Sequence, residues 1–488
     1  MPVPPSIRDA YDAERFRAEG HRLIDAMADQ LARWHRREGL VLPWRDPAEA
    51  RTYWTDSTST FDVVAELSRI AAASTGIVNP RCMGHQVAPP LPAAALAELV
   101  SAILNNGMAV YEMGPASVPI ELAVIDWMCN TLGMPQGAGG VLTSGGSLGN
   151  LTALLAMRQA KAGFDVWREG LRRPLAVLVS ADAHYSVART LSIMGLGEAG
   201  AIRVPIDAKH RMTGEAVRQA LAQAALAGTG RTPRVDGSGD AAVPRIIGIV
   251  AAAGSTATGA FDPLEELADI AAQEHLWLHV DAAHGGGVAL SPTQREKLRG
   301  IEHADSVVWD AHKLLMMPAL ITAVLFKRES HAYEAFAQQA SYLFAATRPE
   351  ETWWDLGQRT LECTKRAMSI ELWTTVRSRG EQWFADVIDR QHALARELAD
   401  KVDAAPDFEL ALQPESNIVC YRHRPARVTD LDAHNRALRR RVVEDGTFYI
   451  VGTQLPSGYH LRSTLMNPLT ESRDLDELLD HLRALCPR

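Results

Sequence analysis

Residues 276–318, LWLHVDAAHGGGVALSPTQREKLRGIEHADSVVWDAHKLLMMP, constrain the fold more tightly than any other stretch of this chain. An apolar run at 276–280 ends on Asp281, and a second at 307–309 is followed by His312 and Lys313. Short apolar runs bounded by polar or glycine-rich turns have the pattern of buried strands. One strand ending on an acid and another ending near a lysine put opposite charges at one edge of a sheet. In an α/β protein, active sites lie along that edge, at the carboxyl ends of parallel strands.

The rest of the chain supports an α/β sheet protein. From residue 174 onward, apolar runs at 175–179, 201–204, 246–252, 276–280, 307–309 and 321–326 alternate with helical patterns, which predicts at least six strands in a mostly parallel sheet flanked by helices. Before that point the pattern is helical. Phe16, Leu23, Ile24, Met27, Leu31 and Trp34 form one apolar stripe on a helix over 13–36, and a second helix is expected near 61–73. Residues 41–60 read as loop, and 79–92 are proline-dense and irregular. Residues 93–133 are mostly helical, with a break at 112–115. In the 253–270 segment Asp262 is placed as the N-cap of a helix opening on Pro263. A long helix is expected at 360–378, and an α+β segment with antiparallel strands follows to the C-terminus. These patterns divide the chain into an N-terminal helical segment (1–90), a large α/β domain (91–378) and a small C-terminal α+β domain (379–488).

With 488 residues, more than one domain is expected. The net charge of −9 argues against nucleic acid or an anionic membrane as a partner. No run of about 18 apolar residues offers a membrane span. The five cysteines, Cys82, Cys129, Cys363, Cys420 and Cys486, are scattered without CxxC spacing, which predicts a reduced, cytoplasmic protein with no metal site.

Taken singly, the candidate site residues have bland alternatives. Asp281 could be a metal ligand, a ribose contact, a helix cap or a solvated strand end, and Lys313 a surface residue. The turn Ser144-Gly145-Gly146-Ser147, ahead of a helix, could be only a tight turn or could cradle an anion at the helix start. His184, just past another strand end, could be an ordinary histidine. Together they match one cofactor. Pyridoxal phosphate forms a Schiff base with a lysine and needs a carboxylate to keep its pyridine nitrogen protonated. Ala283 is small enough for a flat ring to lie on the strand end, His184 can stack on the other face, and the Gly/Ser turn can take the phosphate.

At TSGGSLGN, AHYSV, AGSTATGAFDP, LWLHVDAAHGGG and DSVVWDAHK, taken in this order, the sequence resembles the group II pyridoxal-phosphate-dependent amino-acid decarboxylases. That family has the fold-type-I architecture and includes glutamate, diaminobutyrate and aromatic-amino-acid decarboxylases. The resemblance runs from about residue 80 to about 470. It implies that Lys313 carries the cofactor, Asp281 pairs with its ring nitrogen, His184 stacks on the ring and assists proton handling, and Ala283 packs beneath. It further implies that Gly145, Gly146, Ser147, Ser306 and His312 hold the phosphate and that Thr256 sits near the phenolic oxygen. Tyr342, in SYLF, matches the position of a mobile-loop tyrosine that protonates the carbanion. A phenylalanine there goes with aldehyde-forming, oxygen-consuming relatives. The chain departs from the family at Asp310-Ala311, where many members carry Asn-Pro, so the phosphate contact at 310 stays open.

The function expected is decarboxylation of an L-amino acid to its amine by a homodimer with active sites at the interface. An aldehyde synthase or another fold-type-I activity is the alternative. Arg462, on a C-terminal strand, could bind a substrate carboxylate or be structural.

Overall fold

The computed structural model describes residues 2–55, 61–229, 243–334, 336 and 353–486, in two compact units. One unit comprises Gln86–Arg396 with Leu412–Val419. At its centre is a seven-stranded sheet of β1 (Gly139–Thr143), β2 (Leu175–Ser180), β3 (Ala201–Val204), β4 (Arg245–Ala252), β5 (Trp277–Asp281), β6 (Ser306–Asp310) and β7 (Thr322–Phe326). The spatial order is β1-β7-β6-β5-β4-β2-β3. The pairs from β6 to β3 are parallel, while β7 runs antiparallel to both β6 and β1.

The sequence dictates this layout directly. A parallel strand is covered by helices on both faces, so its side chains are apolar on both. Of the strands with parallel partners, β2 and β6 are buried at every position, and the antiparallel β1 and β7 are too. The core between sheet and helices gathers Val141, Leu154, Met157, Val177, Val179, Trp277, Val308 and Phe326. Each such side chain contributes about 1.5–3 kcal/mol when fully buried. The helix Gly146–Lys161 crosses the sheet over β6 and β7. Gly149 permits that approach, because a Cβ there would stand 3.1 Å from Thr322 Cγ2 and 3.3 Å from Val308 Cγ2.

Three local expectations are corrected. Residues within 41–60 do not all form loop, because Pro47–Thr55 is a helix. Asp46 Oδ1 accepts from the Ala48 N–H at 2.8 Å, and proline suits a first turn, so capping rather than an apolar stripe makes this element. The helix expected from 360 begins at Ser369. Ahead of it, the Lys365 carbonyl accepts from the Met108 N–H at 3.2 Å. The buried Lys365 ammonium pairs with Glu121 and donates to the Leu142 carbonyl at 2.6 Å. Satisfying that buried charge holds the segment out of helix. Finally, Asp262 is not an N-cap. Its carboxylate accepts from the Met212 N–H at 2.7 Å and the Ala252 N–H at 2.8 Å, and burial pushes it up to about 7. The helix starts instead at Leu264.

The second unit comprises Met1–His85, Glu397–Ala411 and Cys420–Arg488. Its strands β8 (Phe408–Leu410), β9 (Ile418–His423), β10 (Val451–Leu455) and β11 (Gly458–Thr464) form a sheet in the order β10-β11-β9-β8. The start of the chain is pinned to its end: Arg37 grips Asp474 through Nε at 2.6 Å and Nη2 at 2.7 Å. The helix Ala13–His35 has no buried residue. Among the described residues, no helix is long and apolar enough to cross a membrane.

Candidate active site

Parallel register aligns Ala252 of β4, Asp281 of β5 and Val308 of β6 at one edge of the seven-stranded sheet. The loops leaving that edge enclose a cavity of about 180 Å³. Gly146, Ser147, His184, Thr256, Asp281, Ala283, His312 and Lys313 line it, as do Asn150, Ser255, His284 and Asp310. Residues far apart in sequence thus meet because several strands end at the same level.

Each side chain is fixed by its element. Gly145 adopts φ +117°, outside ordinary L-residue territory, and so turns β1 into the helix Gly146–Lys161. It makes the turn and stands outside the cavity wall. Among the described residues no side chain caps that helix, and Gly146 and Ser147, in its first turn, line the cavity. His312 is oriented by its Nδ1, which lies 2.9 Å from the Ile321 carbonyl, leaving Nε2 toward Asp310. Lys313 Nζ lies 2.8 Å from Asp310 Oδ2. Asp310 also accepts from the Thr322 hydroxyl at 2.5 Å, so its charge is countered on two sides.

Asp281 is held by two donors, Asn150 Nδ2 at 3.0 Å and the Ala283 N–H at 3.2 Å. Behind it runs a buried chain of hydrogen bonds. Asn150 Oδ1 lies 3.0 Å from His279 Nε2, His279 Nδ1 lies 2.9 Å from Ser306 Oγ, and Trp277 Nε1 donates to Ser306 Oγ at 2.8 Å. Burial pushes His279 down to about 4, so the ring is neutral at pH 7. The direction of every proton then follows. The Asn150 amide must donate to Asp281, so its oxygen accepts from His279 Nε2–H, and His279 Nδ1 accepts from the Ser306 hydroxyl. The second N–H of Asn150 reaches Ser186 Oγ at 3.0 Å, and Ser186 Oγ lies 2.7 Å from His184 Nδ1. One asparagine therefore ties the acid to the histidine. Burial pushes His184 below the usual imidazole range, against the pull of Asp281.

Among the described sequence-predicted residues, Gly145 and Ser306 do not line this cavity. Ser306 is the first residue of β6, whereas the cavity lies at the strand's other end. It is fully buried against Trp277 and His279, so the structure does not bring it to a phosphate site. The sequence shows that Ser306 belongs to the strand, and strand polarity decides which end meets the ligand. Tyr342 lies outside the described residues.

Asn150, Ser186 and His279 were missed by sequence reasoning. A signal existed for His279. It stands two residues before Asp281 in a strand that is otherwise apolar, hence on the same face, and a buried histidine requires partners.

The donor set fits pyridoxal phosphate. An amine and a carboxylate share one cavity, an imidazole and a small alanine lie beside them, and a helix start that no described side chain caps suits a phosphate. Asp310 is the one negative group added to that environment, and Lys313 and Thr322 already engage it.

Residues 79–424 match the model of the pyridoxal-dependent decarboxylase conserved domain. Human cysteine sulfinic acid decarboxylase is 30% identical over 467 residues, covering 91% of each chain. L-2,4-diaminobutyrate decarboxylase of Rhizobium meliloti is 30% identical over 423 residues, covering 86% of this chain and 80% of the relative. Among solved structures, mouse CSAD superposes with a TM-score of 0.87 at 27% identity, covering 97% of this chain and 99% of the other.

Proposed function

Because the chain belongs to the pyridoxal-dependent decarboxylase family, and is thus a pyridoxal-phosphate-dependent amino-acid decarboxylase, we propose that it acts on an acidic L-amino acid through Lys313, Asp281 and His184. The observation that carries the assignment of residues is the shared cavity of Lys313, Asp281 and His184, with Asn150 joining the last two.

When bound, the cofactor supplies an electron sink for the pair left behind as carbon dioxide departs. Lys313 provides the amine that attaches it. Asp281 holds a proton at the ring nitrogen, and the two donors on its oxygens keep the carboxylate aimed there. Gly146 and Ser147 offer backbone N–H groups to the phosphate, with His312 beside them and Gly145 making the turn that presents them. Ala283 would support one face of the ring and His184 the other, and Thr256 would lie by the phenolic oxygen. His184, kept neutral by burial, can accept or return a proton at pH 7. Tyr342 is assigned the delivery of a proton to the substrate's Cα, on the strength of the family resemblance.

The name of a relative supports an acidic substrate: cysteine sulfinic acid decarboxylase acts, by that name, on cysteine sulfinic acid. A homodimer with active sites at the interface is part of the same proposal. It is supported by the apolar stripe of Ala13–His35, where Phe16 is 58% and Ile24 49% exposed.

The test is a panel of cysteine sulfinate, glutamate, aspartate, 2,4-diaminobutyrate and tryptophan, with carbon dioxide, amine, aldehyde and peroxide measured. Carbon dioxide and amine from an acidic substrate are expected, and a preference for 2,4-diaminobutyrate overturns the acidic assignment alone. Lys313→Ala should lose the cofactor's visible absorbance and all turnover. Full turnover in that variant would sink the role given to Lys313.

A further inference from the structure

We propose that His423, His434 and Cys486 bind one zinc ion in the unit built from the chain's two ends. The proposal does not depend on the decarboxylase reading and uses none of its residues. His423 sits on β9, His434 on the helix Leu431–Asp445, and Cys486 just beyond the helix Ser472–Ala484. Their ligand atoms all lie within 4.8 Å of one another. His423 Nδ1 and His434 Nε2 face each other at 3.0 Å, and both rings are buried. Two imidazole nitrogens on a tetrahedral zinc stand roughly 3.3 Å apart, so the pair needs almost no movement to admit the ion.

The surroundings hold the ligands in place. Asn435, next to His434 on the same helix, clamps the backbone of His423: Oδ1 accepts from its N–H at 2.9 Å and Nδ2 donates to its carbonyl at 3.0 Å. The other ring nitrogen of His423, Nε2, lies 3.6 Å from Asp407 Oδ2. A carboxylate behind a histidine leaves the far nitrogen's lone pair free for a metal. Arg441, also on the His434 helix, donates to the Leu485 carbonyl at 3.1 Å and so fixes the residue before Cys486. Arg483 grips Asp407 at 2.8 and 2.9 Å, which ties the end of the last helix to the same carboxylate.

Nitrogen and thiolate donors suit a borderline-soft divalent ion, and the absence of oxygen donors from this trio disfavours magnesium or calcium. In the metal-free site, one ring proton lies between the two facing nitrogens. When zinc binds, that proton relocates to the far nitrogen of the ring that carries it. Cys486 gives its thiol proton to solvent, and two N–Zn bonds and one S–Zn bond form. Water completes the tetrahedron. The sequence shows no such site because residues 423, 434 and 486 meet only in the fold. The expectation of no metal site rested on spacing along the chain.

The test uses the untagged full-length holoenzyme, stripped with chelator and titrated with zinc or cobalt(II). One metal per chain is expected. Cobalt(II) should give the visible d–d bands of a tetrahedral site, at wavelengths beyond the cofactor's absorption. Cys486→Ser, close to the chain end, should bind zinc at least about tenfold more weakly while keeping decarboxylase turnover. His434→Gln should lose the metal and the zinc-dependent rise in thermal midpoint. If His434→Gln fails to fold, Cys486→Ser decides alone. Failure of the intact chain to bind zinc overturns the proposal, and so does equal affinity in the intact chain and Cys486→Ser.

Discussion

Asp281 and His279 stand two residues apart on β5, on the same face of the same sheet, and have opposite environments. Asp281 ends the strand and opens on the cavity, whereas His279 is fully buried. At the strand end Asp281 accepts from Asn150 Nδ2 and the Ala283 N–H and faces the cavity. Two residues further in, burial permits only a neutral ring whose hydrogen bonds are all made. The strand end can therefore hold charge for chemistry, while the strand interior holds uncharged polar groups that fix its position. Asn150 lies between the two environments and hydrogen-bonds to both residues.

The strongest way to break this contrast is to remove the charge at the strand end. Asp281→Asn keeps the shape and one acceptor but cannot hold a proton on a pyridine nitrogen as a carboxylate does. The turnover number should fall on the order of 10²-fold or more, and cofactor should dissociate more readily. Because one of the two donors on Asp281 then meets an NH2 group instead of an acceptor, the apoprotein should also lose about 1–2 kcal/mol of stability. Stopped-flow turnover and cofactor absorbance during dialysis measure the first two effects, and urea unfolding the third. A variant with near-normal turnover would show that Asp281 only caps a strand.

The strand ends were legible in the sequence for a physical reason. Strands covered on both faces read as unbroken apolar runs, so the charges of Asp281 and Lys313 at the ends of such runs stand out. The orientation of the strands is harder to use, and Ser306, which the family resemblance assigns to the phosphate, stands at the amino end of β6. Asn150 left no trace because a single polar residue on a helix looks solvent-facing until the sheet behind it is known. The helix Pro47–Thr55 escaped notice because a cap and a proline make it rather than periodicity. The late start of the helix at Ser369 depends on Lys365 meeting Glu121, a contact between segments remote in sequence. The charged residues that line the cavity are thus readable, and those that hold them in place are not.

The second prediction probes the interior half of the contrast through pH. An unfolded histidine takes up its proton near 6.5, but His279 in the folded chain does so only at about 4. Between those values the unfolded chain binds more protons, so acidification favours unfolding. The stability contributed is present above pH 6.5 and lost progressively as pH falls toward 4, by roughly 3 kcal/mol for this group. His279→Gln can donate to Asn150 and accept from Ser306 without titrating. Its denaturant midpoint should therefore decline less steeply across that range. His392, also pushed down to about 4 by burial, acts with the same sign in both proteins and cancels from the difference. Parallel stability curves for the two proteins would rule out His279 as the titrating group.

The smallest effect expected is the one that best separates the strand's two ends. Ser306→Ala removes the acceptor for Trp277 Nε1 and the donor to His279 Nδ1. Two buried polar atoms lose a partner, and since the small cavity left behind is too confined to relax fully, the cost should be about 1–2 kcal/mol of stability. Cofactor affinity should be unchanged, because the hydroxyl lies at the end of β6 away from Lys313. A phosphate ligand would behave the other way, with weaker cofactor binding and little change in the stability of the apoprotein. Equilibrium titration of the apoenzyme with pyridoxal phosphate, read beside urea unfolding of the same apoprotein, distinguishes the two outcomes. A tenfold loss of affinity at unchanged stability would return Ser306 to the site, and would mean that the polarity of β6 does not decide which of its residues reach the cofactor.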